Sequence, residues 1–499
     1  MFTLIPGTLT WQDIVSLQKQ DIKIQLVDEA LLHIQGAADW LAKQIATDRV
    51  MYGVNTGFGK LAATSISVDA LTQLQRRIIL SHAAGVGDYL ADDIVRLIML
   101  FKINSLARGF SGVRLETITL LIKLYNAGIY PCIPSQGSVG ASGDLAPLAH
   151  LSAVLIGVGE ARYQGNIISA EKALSLIDCI PLQLAPKEGL ALLNGTQVST
   201  ALAIYALLRA EINFSAAIIA GALSVDAACG SDQPFDERIQ AVRGHSGQMA
   251  VAALFRDLLR GSGIRESHLH CNKVQDPYSL RCQPQVMGAV FDLLQEVKRV
   301  LMQEANAVSD NPLIFYKENC ILSGGNFHAE PVAFAADQLA LALAEMGSLS
   351  ERRIALLMDP QFSQLPAFLV PESGINSGFM LAQVTAAALV SENKALAHPV
   401  SVDSIPTSAN QEDHVSMATY AARRLLQMNE NVAHIIAIEL LAASQGIDFL
   451  KPLTTSRALA IYYEKIRVHV SFYAEDRFFS PDIVAVKKLI DAGAFHFRC

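Results

Sequence analysis

Ala141-Ser142-Gly143 can do chemistry that no single side chain offers. The nitrogen of Gly143 is unhindered and can attack the carbonyl carbon of Ala141. Loss of water closes a five-membered ring, and loss of the Ser142 hydroxyl as a second water leaves an exocyclic methylidene. The product, a 4-methylidene-imidazol-5-one, is an electron sink made from the chain itself, where enzymes otherwise borrow one from a cofactor. Around it runs Gln136-Gly137-Ser138-Val139-Gly140-Ala141-Ser142-Gly143-Asp144-Leu145-Ala146-Pro147-Leu148. Gly137, Gly140 and Gly143 leave the backbone permissive, and Asp144 to Pro147 reads as a helix start. A helix there would aim its positive end at the loop. An isolated Ala-Ser-Gly is common and is usually only flexible, so the rest of the chain has to supply the context.

The elements that must position this loop are mostly helical. The 499 residues carry a formal charge of −8 with 51% hydrophobic residues, and no basic run points to nucleic acid. Mean hydropathy is +0.31, which calls for either membrane spans or apolar helices buried between subunits. The longest uncharged windows, 189–208 and 373–391, contain Asn194, Gln197, Asn376 and Gln383, too polar for hydrocarbon. Burial in an oligomer is therefore expected. The N-terminus lacks the pattern of a signal peptide. The seven cysteines form no CxxC pair, and His268-Leu269-His270 is too weak for a metal site, so reduced thiols, no metal and a cytoplasmic location are expected.

Along the chain, Thr10 to Asp13 resembles a helix start, and helical spacing runs over 26–46, 68–82 and 91–106. Ser111 reads as an N-cap and Gly128 as the stop of the next helix, with a small hairpin over 157–168 turning at Gly165-Asn166. Long apolar segments follow over 196–225, 283–308, 331–358, 379–398 and 411–444, as at the centre of a bundle. The expected fold is mainly α. A mixed N-terminal domain over 1–195 carries the loops, a long-helix bundle and oligomer core spans 196–452, and a helical covering layer spans 453–499.

Polar motifs interrupt these apolar helices, and buried polar groups need a reason. They are Tyr52-Gly53-Val54-Asn55-Thr56-Gly57-Phe58-Gly59, Asn194-Gly195-Thr196, the stretch Lys273 to Gln285 with Gln275, Tyr278 and Arg281, Ser323 to His328 with Phe327, and Asn410 to Ser416 with Glu412. Arg281 suits a bidentate grip on a carboxylate, contributing roughly 1.5–3 kcal/mol. Together with the Ala-Ser-Gly string, these motifs resemble, in order, those of the histidine and phenylalanine ammonia-lyase family. Ser246, where members often have proline, departs from the pattern without functional consequence. The resemblance implies an elongated helical bundle of the fumarase/aspartase-like superfold, a homotetramer with shared active sites, and a self-derived prosthetic group from Ala141, Ser142 and Gly143. It implies Tyr52 as the base, Asn194 and Phe327 beside the prosthetic group, and Gln275, Tyr278 and Arg281 around ring oxygen or substrate.

Two positions select a branch. Ser81-His82 and Glu412 look like the histidine branch, whereas the phenylalanine branch resembles Phe-Leu and glutamine there. An imidazole needs polar partners for both nitrogens, which His82 and Glu412 offer; a phenyl ring would leave them unpaired. The implied reaction is non-oxidative deamination of L-histidine to trans-urocanate. The alternatives are a lyase or aminomutase acting on phenylalanine or tyrosine, and an inactive helical scaffold.

Overall fold

A computed structural model describes residues 1–18, 22–47, 51–57, 59–61, 64, 66–269 and 274–497. Phe58, His270 and Lys273 of the motifs above, with Cys271 and Cys499, lie outside the described residues. The fold is mainly helical, with short two- and three-stranded sheets between the helices in sequence. Contacts group the chain into two units instead of three consecutive blocks. The first holds Met1–Tyr205, Lys298–Asp337 and Pro399–Arg423; the second holds Ala206–Val297, Gln338–His398 and Arg424–Cys499. The expected boundaries near 195 and 452 therefore do not coincide with the observed units.

Most local expectations hold because they rest on caps and periodicity. Thr10 and Asp13 form a reciprocal capping box on helix Trp11–Leu17. Helix Val68–His82 has the expected bounds. Gly128 ends helix Leu115–Ala127 in the left-handed region, with φ 67°. Ser111 is a correction: that helix is capped at Arg114, and the Ser111 side chain is buried without a hydrogen-bond partner. The hairpin pairs Glu160–Tyr163 with Asn166–Ser169, so its turn is Gln164-Gly165, one residue earlier than expected.

Three helices of the first unit matter most. Val68–His82, Leu145–Leu155 and Glu188–Leu193 pack on one another. Leu148, Leu151, Leu155, Leu192 and Leu193 are buried there, each contributing about 1.5–3 kcal/mol of burial. Gly189 permits the approach: a Cβ on it would lie 2.6 Å from the Gln75 carbonyl oxygen. The ends of this trio deliver chemistry. The first helix ends at His82, the second begins directly after Gly143 and Asp144, and the third stops just before Asn194. Strand Pro134–Gln136 pairs antiparallel with Val86–Tyr89, tying the loop's entry to the chain leaving His82.

The second unit contains a buried ion pair. Arg353 and Glu439 are both 0% exposed, and Arg353 grips the carboxylate with Nε and with Nη2 at 2.8 Å. Phe235 stacks on Phe255 with ring centres 4.7 Å apart. Helices Gln197–Ala227, Glu330–Met358 and Ala418–Phe449 are long and apolar enough to cross a membrane by length and composition; 72%, 67% and 83% of their most apolar windows are buried within the protein. The last of them begins at Ala418, well after the expected start at 411. Residues 411–417 form a loop, and Ser408, Ala409, Asn410 and Met417 all have positive φ.

Candidate active site

The Ala-Ser-Gly loop is held from several sides. Gly143 pairs with Gly195 in a parallel bridge, and the Asp144 N–H donates to the Gly195 carbonyl at 2.7 Å. With φ 73° and a virtual Cβ only 2.2 Å from the Gly195 oxygen, position 143 admits only glycine. Gly140, with φ 70°, is held likewise: a Cβ would lie 2.3 Å from Ser416 Oγ. Gly140's carbonyl accepts from Ser416 Oγ at 3.1 Å and from the Ala329 N–H at 3.3 Å, and Val139's carbonyl accepts from the Met417 N–H at 2.8 Å.

Asp144 is more than a helix-opening acid. Its carboxylate makes no capping bond to its own helix. It accepts from the Ser199 N–H at 2.8 Å and Ser199 Oγ at 2.9 Å, near the start of helix Gln197–Ala227, and from Thr419 Oγ1 at 2.6 Å and Ser138 Oγ at 3.2 Å. Burial raises its pKa against the pull of these donors. The side chain thus binds the loop to two long helices.

Ser142 stands at the reacting position between two predicted residues. Its hydroxyl donates to Glu412 Oε1 at 2.5 Å, and its carbonyl accepts from Asn194 Nδ2 at 2.7 Å. Glu412 Oε2 accepts from Thr407 Oγ1 at 2.7 Å and Ser408 Oγ at 2.9 Å. Burial pushes the Glu412 pKa up, but the Ser142, Thr407 and Ser408 hydroxyls and the His82 ring outweigh it, leaving the group below its ordinary value. His82 is half-buried; burial lowers its pKa against the raising effects of the Ile78 carbonyl and Glu412, so it is neutral at neutral pH. Its Nδ1 lies 3.0 Å from Ser81 Oγ.

Tyr52 lies in a turn whose hydroxyl accepts from the Gly59 N–H at 3.2 Å. This turn sits over the 188–193 helix, since a Cβ on Gly53 would meet Leu190 at 2.5 Å, and Gly59–Leu61 packs against Ser408–Asn410, beside the Glu412 loop. Phe327 is half-buried in the turn leading to Ala329, the residue bonded to Gly140. The first unit therefore gathers Ala141, Ser142, Gly143, Asn194, Glu412 and His82, with the segments carrying Tyr52 and Phe327. Gln275, Tyr278 and Arg281 belong to the second unit. Tyr278 is 71% exposed, the Arg281 guanidinium lies 4.6 Å from its ring centre, and buried Arg281 Nε has no hydrogen-bond partner.

Asp144, as a tether, and the pair His328 and His414 escaped sequence reasoning. The two imidazoles stack with centres 5.8 Å apart, and among the described residues His328, Glu330 and His414 could hold a metal ion, with ligand atoms within 4.8 Å of one another. The signal was present in two polar motifs, but their proximity spans 86 residues of sequence.

The encoded tripeptide fits the ring it is expected to form. Gly143 has no side chain to obstruct closure, the Ser142 hydroxyl that would leave is held by Glu412, and Asn194 already donates to the Ser142 carbonyl that the ring would retain.

A family profile described as aromatic amino acid lyase matches residues 9–468. The chain belongs to the aromatic amino acid lyase family. A histidine ammonia-lyase from Legionella pneumophila is 59% identical over 489 residues, covering 98% of this chain and 97% of that one. The crystal structure of histidine ammonia-lyase from Trypanosoma cruzi superposes with a TM-score of 0.92 at 42% identity, over 99% of this chain and 94% of that one. A Pantoea agglomerans phenylalanine aminomutase superposes as well, at 0.94 with 32% identity, over 98% and 99%. The mainly helical fold is thus shared across substrates, and the choice of substrate falls to individual side chains of this ammonia-lyase.

Proposed function

We propose that this lyase deaminates L-histidine to trans-urocanate and ammonia, using a methylidene-imidazolone formed from Ala141, Ser142 and Gly143. The observation that carries the reading is the placement of Glu412 on Ser142 with His82 in its field. Loss of the Ser142 hydroxyl would release Glu412 Oε1 next to the reacting carbon. A neutral His82 and an ionised Glu412 then offer hydrogen bonds to both imidazole nitrogens of the substrate. A phenyl ring would strand both groups, a cost of about 1–3 kcal/mol for each unpaired partner.

The prosthetic group supplies an electron-poor carbon that takes up electron density during elimination. The chain's own residues do the rest. Asn194 Nδ2 donates to the Ser142 carbonyl, where negative charge develops. Tyr52 takes the β-proton, with its oxygen already accepting from the Gly59 N–H. Arg281 clamps the substrate carboxylate, while Tyr278 and Gln275 line that end, and Phe327 walls the loop.

Gln275, Tyr278 and Arg281 are supplied in this reading by a second copy of the chain within a homotetramer. The exposure of Gln275 and Tyr278 and the unpartnered Arg281 Nε support it. So do Phe334, 53% exposed, and Leu341, 51% exposed, two turns apart on one helix. Ultraviolet absorbance with histidine, phenylalanine and tyrosine tests the substrate: turnover of histidine alone is expected, and preference for either aromatic acid refutes the assignment. Light scattering tests the tetramer.

A further inference from the structure

Lys102 is a buried basic residue for which the proposed reaction has no use. It sits in helix Asp92–Leu106 and is 1% exposed. Burying an ammonium costs stability unless it is well partnered. The nearby carboxylate of Asp310 is already engaged by Lys187, at 2.6 Å and equally buried. Lys102 Nζ instead donates to a backbone carbonyl, that of Asn194, at 2.7 Å.

That carbonyl is strategically placed. Asn194 and Gly195 form the strip against which the reactive tripeptide lies: Asn194 Nδ2 donates to the Ser142 carbonyl, Gly195 bridges Gly143, and Gly195's carbonyl receives the Asp144 N–H. Gly195 has φ 131°, a conformation side-chain-bearing residues rarely adopt. Glycine adopts that conformation freely, so it does not by itself fix the strip, and the Lys102 bond to the Asn194 carbonyl is a hold from outside it.

We propose that Lys102 is a positioning residue for formation of the prosthetic group, fixing Asn194 and Gly195 so that Gly143 nitrogen and Ala141 carbonyl carbon are brought to bond. The inference rests on the condensation proposed above. The step balances without a co-reactant. The Gly143 N to Ala141 C bond forms, and the Ala141 oxygen leaves as water with protons from the Gly143 and Ser142 nitrogens. A second water takes the Ser142 hydroxyl and its Cα proton. Burial brings the Lys102 pKa down to about 7, against Asp310 and Asp144, which raise it, and with Lys187, which lowers it further. An ammonium held at that cost is consistent with a working role.

Intact mass of the full-length purified chain, with circular dichroism to verify folding, tests this. Wild type is expected two waters lighter than its encoded mass. Lys102→Met is expected to fold with wild-type helix content yet condense about tenfold more slowly or worse, leaving a large fraction at the encoded mass. Lys102→Arg, which keeps the cation, is expected to recover a substantial part. Complete condensation of Lys102→Met at the wild-type rate overturns the proposal, as does a Lys102→Arg chain no better than Lys102→Met. Should Lys102→Met not fold, Lys102→Gln decides by the same mass: incomplete condensation supports the role and complete condensation refutes it. A wild-type chain at its encoded mass would sink the condensation itself, an outcome separate from any behaviour of Lys102.

Discussion

Glu439 in the second unit and Asp144 in the first are both fully buried carboxylates, and they are treated differently. Glu439 receives a guanidinium fork from Arg353, with Ser224 at 2.7 Å and Ser350 at 2.6 Å completing its shell. Asp144 is ringed only by neutral donors. Its region also carries glycines at positive φ, the depressed lysine, and a buried Asn194 Oδ1 without a hydrogen bond. Glu439 is neutralised by a partner of opposite charge, as a structural carboxylate is. A region built for chemistry spends stability on holding reactive groups in place.

The contrast can be broken most severely at Ser142. Ser142→Ala removes the hydroxyl that must leave, and turnover is expected to fall by at least about 10³-fold with folding intact. Unchanged deamination would remove the loop from the reaction. Tyr52→Phe should leave the mass of the condensed chain untouched while lowering kcat by about 10²–10⁴-fold; a kcat within a factor of a few of wild type moves the base elsewhere. Arg353→Met in the other region is expected to cost about 3–5 kcal/mol in denaturant unfolding, because it strands a buried carboxylate, while condensation proceeds in whatever remains folded. A loss under about 1 kcal/mol would mean the two carboxylates are not so different.

The smallest effects lie in pH. With its pKa lowered, His82 is neutral above the ordinary histidine value of 6.5, so the acid limb it sets should fall below that pH. Glu412 raises the His82 pKa, so Glu412→Gln should carry the limb lower still; a limb moving upward contradicts the pairing. The depressed Glu412 contributes stability fully present above its unfolded value near 4.5 and lost as pH falls through its folded pKa. Asp144 has the opposite sign: its raised pKa means its contribution weakens stability as pH climbs from 3.8 through the folded value.

The chemistry of the site was more legible than its geometry. Small residues able to condense and the Thr10 capping box can be seen in local sequence, since spacing within four residues decides them. Glu412 was legible as a residue but not as a conformation: its segment reads as the first turn of an apolar helix, whereas positive φ at 408–410 and 417 holds it in a loop folded back onto Ser142. Periodicity carries no information about such backbone. Asp144 reads as an N-terminal acid, yet its partners lie 55 and 275 residues away. Lys102 was invisible inside an apolar run because the group it donates to is a backbone carbonyl 92 residues on. The division into two units was hidden for a related reason: each gathers three separate stretches of chain.

The account stands on Ala141, Ser142 and Gly143 condensing, and the intact mass of a freshly purified preparation that deaminates histidine tests this directly. The mass is expected to fall short of the encoded value by two waters in essentially every chain, with the deficit confined to the peptide containing residues 141–143. An active preparation whose chains all carry the encoded mass would contradict it.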